Sequence, residues 1–181
     1  MSLPDHRHPA LTVDIVLFAA GRDDLRVLLV KRDHPPFADA WAFPGGFVNN
    51  GESPDRAAYR ELEEETSIQD IHLHQLRVFG DPRRDPRGHV VTLAYLAVAP
   101  ADALHWAQPG SDAAQARWWP VSDLPSLAFD HADILECALR RLRRIMACSH
   151  SDLDILPGRL TLRDLQGVCE RVKDSIQKRT G

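Results

Sequence analysis

Cysteine is scarce in this chain of 181 residues. There are three, Cys137, Cys148 and Cys169, odd in number and without C-x-x-C spacing, which argues against a disulfide framework and a structural zinc site. Such sparing use of thiols fits a reducing compartment. Long apolar runs are missing too, since no stretch reaches the roughly 18 residues of a membrane helix. The first ten residues are polar and carry histidine, with no basic start followed by an apolar run, so there is no sign of a secretory leader. A cytoplasmic protein with no membrane partner is expected. Excess charge of one sign is small: the net charge of −4 and a pI near 6.1 give no general pull toward nucleic acid or an acidic membrane surface. Internal repeats and low-complexity tracts are absent. A hydrophobic content of 44% suffices for a core, and the length favours one domain with a short appendage.

The chain is organised around Gly46 to Ile68, which reads GFVNNGESPDRAAYRELEEETSI. Ser53 suits the cap of a helix, Pro54 its first turn, and Asp55 complements the helix dipole. Within the helix, four acids fall in the five positions 61 to 65. At roughly 100° per residue, Glu61, Glu64 and Glu65 share one face. Three carboxylates on one face repel one another unless one is protonated or a hard cation sits among them, and oxygen ligands select Mg²⁺, Mn²⁺ or Ca²⁺ over zinc. Arg60 stands four residues before Glu64, where an ion pair holds that carboxylate in place. Ala57 and Ala58 are expected to keep the metal-side face thin, with Tyr59, Leu62 and Thr66 buried opposite. Ahead of the helix, Pro44-Gly45-Gly46 ends a strand in a tight loop whose backbone approaches other groups closely.

These residues resemble the Nudix box: Gly, five residues, Glu, seven residues, Arg-Glu, an aliphatic residue, any residue, Glu-Glu, any residue, Gly, an aliphatic residue. Gly46, Glu52, Arg60, Glu61, Leu62, Glu64, Glu65 and Ile68 match, and Ser67 stands where the pattern has its last glycine. The resemblance implies an α+β fold, a Nudix-type α/β/α sandwich around a central mixed β-sheet. It also implies Mg²⁺, with Mn²⁺ as a substitute, held by Glu61, Glu64 and Glu65. Glu52 is the expected partner that orients Arg60 or joins the metal network through water, and these five residues form the catalytic set. The carboxylate that takes the proton from the attacking water is left open between the box and a later loop.

Elsewhere, Leu11 to Ala19 and Arg26 to Arg32 read as a hairpin of strands around the turn Gly21 to Asp24, and Trp41 as a core residue. Ile71 to Phe79 alternates like a half-buried strand, in which His72 and His74 read as exposed. The loop Gly80 to Gly88 carries three arginines, two aspartates and two prolines in nine positions, too stiff and charged for mere connection. Arg84 and Arg87 are its candidates for gripping substrate phosphate or ribose oxygens, together with the backbone at Gly46. Val90 to Val98 and Ala116 to Trp119 are further strands, and an amphipathic helix starts at His131. In the family these residues resemble, a late loop often supplies a further acid near the metals, and the resemblance makes Asp112, in a loose stretch before the last strand, the candidate for it.

The resemblance places a Nudix domain over residues 1–148 and a helical appendage, the remnant of a winged-helix segment, over 149–181. The segments Phe79 to Gly88, Trp118 to Val121 and Leu127 to His131 are similar to the ADP-ribose pyrophosphatase branch, whose members yield AMP and ribose 5-phosphate. A small-molecule nucleoside diphosphate is therefore the expected partner, and a homodimer is expected by analogy. Two alternatives stand beside it. One is a Nudix enzyme acting on nucleoside triphosphates. The other is an ADP-ribose-sensing, Nudix-related transcriptional regulator of NAD metabolism, which the segment Leu160 to Gln166 also resembles. Against the regulator, 33 residues follow Cys148, with six basic side chains facing five acids, a weak footprint for DNA. No nucleic-acid partner is expected.

Overall fold

The computed structural model describes residues 8–21, 24–100, 103, 105 and 115–147. Nine elements follow in order among them: β1 (Ala10–Ala20), β2 (Leu25–Lys31), β3 (Trp41–Ala42), β4 (Gly45–Phe47), α1 (Pro54–Thr66), β5 (His74–Phe79), β6 (Val90–Ala99), β7 (Gln115–Pro120) and α2 (His131–Ala147). The strands make one seven-stranded sheet in the order β3-β2-β1-β6-β5, with β4 on β1 and β7 on β2. β1 and β6 run parallel from Ala10↔Val90 to Ala19↔Ala99, and the other pairings are antiparallel, so the sheet is mixed.

β1 explains why the molecule has three layers. Its run is apolar on both faces, as expected of a strand covered on both sides. Val13, Ile15, Leu17 and Ala19 pack with Ala57, Ala58 and Leu62 of α1. Val16, Phe18 and Ala20 pack with Ile134, Leu135, Ala138, Leu139 and Leu142 of α2. A helix on each face of a mixed sheet is the expected α/β/α sandwich. Ala57 and Ala58 correct one detail: both are fully buried against the sheet, and their small side chains bring α1 close to it, so they do not thin the cation-facing side. Tyr59 is exposed, and its hydroxyl accepts the Leu73 N–H.

β1 divides its second edge. Residues 18–20 pair with β2 and residues 12–14 with β4, while Ile15 N–H donates to Pro44 O between them at 2.8 Å. This division brings the glycine-rich loop to the middle of the sheet. Strand pairing begins at His74 and not at Ile71, because Ile71 and Leu73 turn inward against the α1 layer after Asp70, which lies at φ 58°. Trp41 is partly buried and packs edge-on against Trp119 at 5.2 Å. Asp112 and the segment 149–181, including the last helix expected there, lie outside the described residues. No helix among the described residues is long and apolar enough to cross a membrane.

Candidate active site

α1 begins as its sequence dictates. Ser53 Oγ accepts the Arg56 N–H at 3.3 Å, and Pro54 opens the first turn. It ends at Ser67, in the left-handed conformation at φ 59° with its N–H on Glu63 O at 2.8 Å. That geometry favours glycine, the residue the box pattern has at this point.

Arg60 is the hub of the acidic face. Its Nε and Nη2 form a fork on Glu52, at 2.9 and 3.0 Å. Nη1 donates to Glu61 Oε1 at 2.7 Å and to Glu64 Oε2 at 3.0 Å, and Nη2 also donates to Phe47 O at 3.1 Å. Five bonds use the five donors a guanidinium has. Those bonds hold the Glu52 carboxyl down to about 2, helped by the Asn49 N–H, and they raise Arg60 above its ordinary value. Glu61 is pushed up by burial, against the pull of Arg60. Glu65 is turned the other way and accepts the Gly45 N–H at 2.9 Å. Burial pushes it up to about 8, with Glu61 and Asp14 adding to the rise and the Gly45 N–H opposing it.

The two glycines of β4 are required by space. A Cβ on Gly45 would lie 2.1 Å from Val13 O, and one on Gly46 would lie 2.4 Å from Glu61 Oε1. The backbone thus passes directly over the carboxylates. Gly46→Ala is expected to displace the Glu61 side chain, because that chain can swing away whereas backbone cannot. If Glu61 holds a cation, turnover should fall by about tenfold or more, with melting near that of the parent; unchanged turnover would show that Glu61 does not act from this position.

Behind β4 opens a cleft of about 210 Å³, lined in part by Asp14, Arg32, Arg87, Phe129 and His131. Arg84, on the expected loop, is buried and forked on Asp130, with Nε to Oδ2 at 2.9 Å and Nη2 to Oδ1 at 2.7 Å. Asp14 lies 3.6 Å from Arg84 Nη2 and 3.5 Å from His131 Nε2. His131 Nδ1 accepts the Phe43 N–H at 3.0 Å, so its proton sits on Nε2, and burial lowers its pKa and keeps it neutral. Arg87 is forked on Asp85 and remains partly exposed.

The structure therefore brings Gly46, Glu52, Arg60, Glu61, Glu64 and Glu65 together, and sets Arg84 and Arg87 at the adjoining cleft. Among the described residues, no three His, Cys, Asp or Glu side chains converge closely enough to clasp an ion as they stand. The reason is visible: Arg60 Nη1 lies between Glu61 and Glu64, while Glu65 is held by Gly45. The donor set nevertheless fits a hard divalent cation, since Glu61 and Glu65 are oxygen donors whose charge is disfavoured by burial. Sequence reasoning missed Asp14, Arg32, Asp130 and the role of His131. One signal was available for Asp14, an acid within the apolar run Leu11 to Phe18, because a buried charge needs a partner.

A mixed sheet between two helices, with a glycine loop laid over an acidic helix beside a polar cleft, defines a Nudix pyrophosphohydrolase. The NUDIX domain family model matches residues 8–142, and the chain belongs to that family, whose members generally use divalent metal ions. It is 38% identical over 133 residues to an ADP-ribose pyrophosphatase of Methanocaldococcus jannaschii, covering 74% of this chain and 75% of that protein. It is 32% identical over 170 residues to the ADPR responsive transcriptional repressor NtrR of Acinetobacter baylyi, covering 92% of this chain and 67% of that one. Among solved structures, the NUDIX domain of Shewanella oneidensis NrtR complexed with ADP ribose superposes with a TM-score of 0.68 at 34% identity, covering 78% of this chain and 94% of that one.

Proposed function

We propose that this Nudix enzyme hydrolyses ADP-ribose to AMP and ribose 5-phosphate, with Mg²⁺ held by Glu61, Glu64 and Glu65 and Mn²⁺ as a substitute. The observation that carries this reading is the set of carboxylates that Arg60 gathers (Glu52 and Glu61 partly buried, Glu64 exposed) next to the arginine-lined cleft. When bound, the cation supplies charge neutralisation for the diphosphate and activation of the attacking water. Glu52 fixes Arg60, and Arg60 fixes Glu61 and Glu64. The Gly45 N–H fixes Glu65. Water adds to one phosphorus and gives its proton to a carboxylate of the box or of a later loop, the bridging P–O bond breaks, and the released phosphate oxygen keeps the electron pair. Arg87 and the backbone at Gly46 line the cleft and contact the substrate, while Arg84 contributes positive charge from beneath. Asp112 remains the candidate for a further acid. The ADP-ribose named for two of the similar proteins supports the substrate. A cytoplasmic homodimer belongs to the same reading.

The test is a magnesium-dependent turnover screen of ADP-ribose, NADH, diadenosine polyphosphates and nucleoside triphosphates. The expected result is preference for ADP-ribose with release of AMP. Preference for a nucleoside triphosphate, or no turnover of any of the four, overturns the proposal. One observation favours a second reading, an ADP-ribose-sensing repressor: the similarity to the Acinetobacter repressor extends over 92% of the chain. Tight, sequence-specific retardation of DNA at physiological salt would establish that reading.

A further inference from the structure

Arg32 follows the last residue of β2 and differs from the other arginines around the cleft. Arg60, Arg84 and Arg87 each have a carboxylate within 3 Å. Arg32 donates from Nε to Pro36 O at 3.0 Å and from Nη2 to His34 O at 3.3 Å, both carbonyls of its own loop, and no carboxylate among the described residues lies within 4 Å of it. The backbone is tied as well: Arg32 N–H donates to Ala40 O at 3.0 Å and Asp39 N–H to Arg32 O at 2.9 Å. A half-buried cation is thus held rigidly at a cleft with its charge uncompensated by contact.

A second cation shares its surroundings. The Arg32 guanidinium stands 4.8 Å from the centre of the Phe129 ring, and that of Arg87 stands 5.7 Å from the same ring and 5.3 Å from that of Phe47. Burial and the positive charge of Arg87 lower the Arg32 pKa, against the pull of Asp85, Glu65 and Asp33. Asp85 compensates Arg87 through its fork, which leaves Arg32 as the cation against this ring with no carboxylate among the described residues in contact, and cation–π attraction offsets only part of the cost of its burial. Phe129 takes this position at φ 52°, a conformation that L residues with bulky side chains rarely adopt and that recurs at ligand clamps. Arg32, Arg87, Phe47 and Phe129 all line the cleft.

We propose that Arg32 and Arg87, set about the ring of Phe129, form the grip that takes phosphoryl oxygens of the substrate's diphosphate. This rests on the hydrolase reading above and deepens it by assigning the substrate-binding cations. Arg84 is spent on Asp130, whereas Arg32 has donor capacity left and an aromatic face to lie against.

The test is calorimetric binding of inorganic diphosphate to the magnesium-loaded protein, alongside KM and kcat for ADP-ribose. Arg32→Gln is expected to weaken diphosphate binding by about tenfold, the usual scale for a hydrogen bond to a charged group. It should raise KM by a similar factor and leave kcat within about threefold. Arg32→Lys should fall between, because an ammonium keeps the charge without the fork. Arg83→Gln, whose side chain is 92% exposed on the neighbouring loop, should behave as the parent. Should Arg32→Gln melt early through loss of its loop bonds, Arg32→Lys decides. Parental diphosphate affinity in a folded Arg32 variant, or no diphosphate binding by the parent, overturns the grip. Diphosphate held through Arg32 with no ADP-ribose turnover would instead overturn the substrate while leaving the grip in place.

Discussion

The Glu65→Gln variant is expected to keep its fold and lose about 10²- to 10⁴-fold of kcat/KM for ADP-ribose, the range for a group that handles charge in the reacting complex. The amide keeps an oxygen to accept the Gly45 N–H, so the loop over α1 retains its anchor. What the variant loses is the negative charge that the proposed cation site would draw on. The same substitution should change how stability depends on pH in magnesium-free protein. In the folded chain the carboxyl titrates at about 8, against an ordinary value of 4.5. Between these values the unfolded chain has released a proton that the folded chain retains. Stability from this group is therefore complete below pH 4.5, falls as pH rises toward 8 and then levels off. Glu61, also raised, contributes with the same sign. Urea denaturation in chelator at several pH values checks this, with a shallower slope expected in Glu65→Gln than in the parent. Equal slopes would dispose of the burial assigned to Glu65, and near-parental magnesium-dependent turnover would dispose of its role.

Strong local signals made much of this legible in the sequence. Helix α1 starts at Pro54 and ends at Thr66, as the cap, the proline and the acidic face indicate. β1, β2 and β6 are largely apolar or β-branched, β7 carries the Trp118-Trp119 pair, and all four lie within about two residues of their expected bounds. β3 and β4, of two and three residues, are too short for periodicity to register, and β4 contains two glycines that act through close approach. The box was readable because its members lie within one helix and the loop before it. The cleft was not, because Asp14, Arg32, Arg84 and His131 are far apart in the chain and meet only when β1, the charged loop and the start of α2 pack together. A charged loop in a sequence carries no mark of whether its arginines face a ligand or a buried aspartate. Arg84 and Arg87 divide along that line, the first enclosed by Asp130 and the second still partly open.

Asp130→Ala is expected to destabilise the protein by about 3–5 kcal/mol, the cost of removing one partner from a buried ion pair. The Arg84 side chain is 4% exposed, and its fork on Asp130 supplies both of its short carboxylate contacts. Without that fork the remaining acid is Asp14 at 3.6 Å, which also faces His131. The consequence extends to the site, because the pair ties the loop carrying Arg87 to the first turn of α2, where Ile134 N–H and Asp133 N–H donate to Asp130 O. KM should therefore rise in any Asp130→Ala protein that remains folded. Asp130→Asn should cost less, since its amide oxygen still accepts one guanidinium bond. Denaturant titration of a double-mutant cycle gives the sharper result: after Arg84→Met, replacing Asp130 by Leu should cost little, because the buried cation is already gone. Additive losses in that cycle would mean that the two side chains do not depend on each other, and that the charged loop is held to α2 by some other contact.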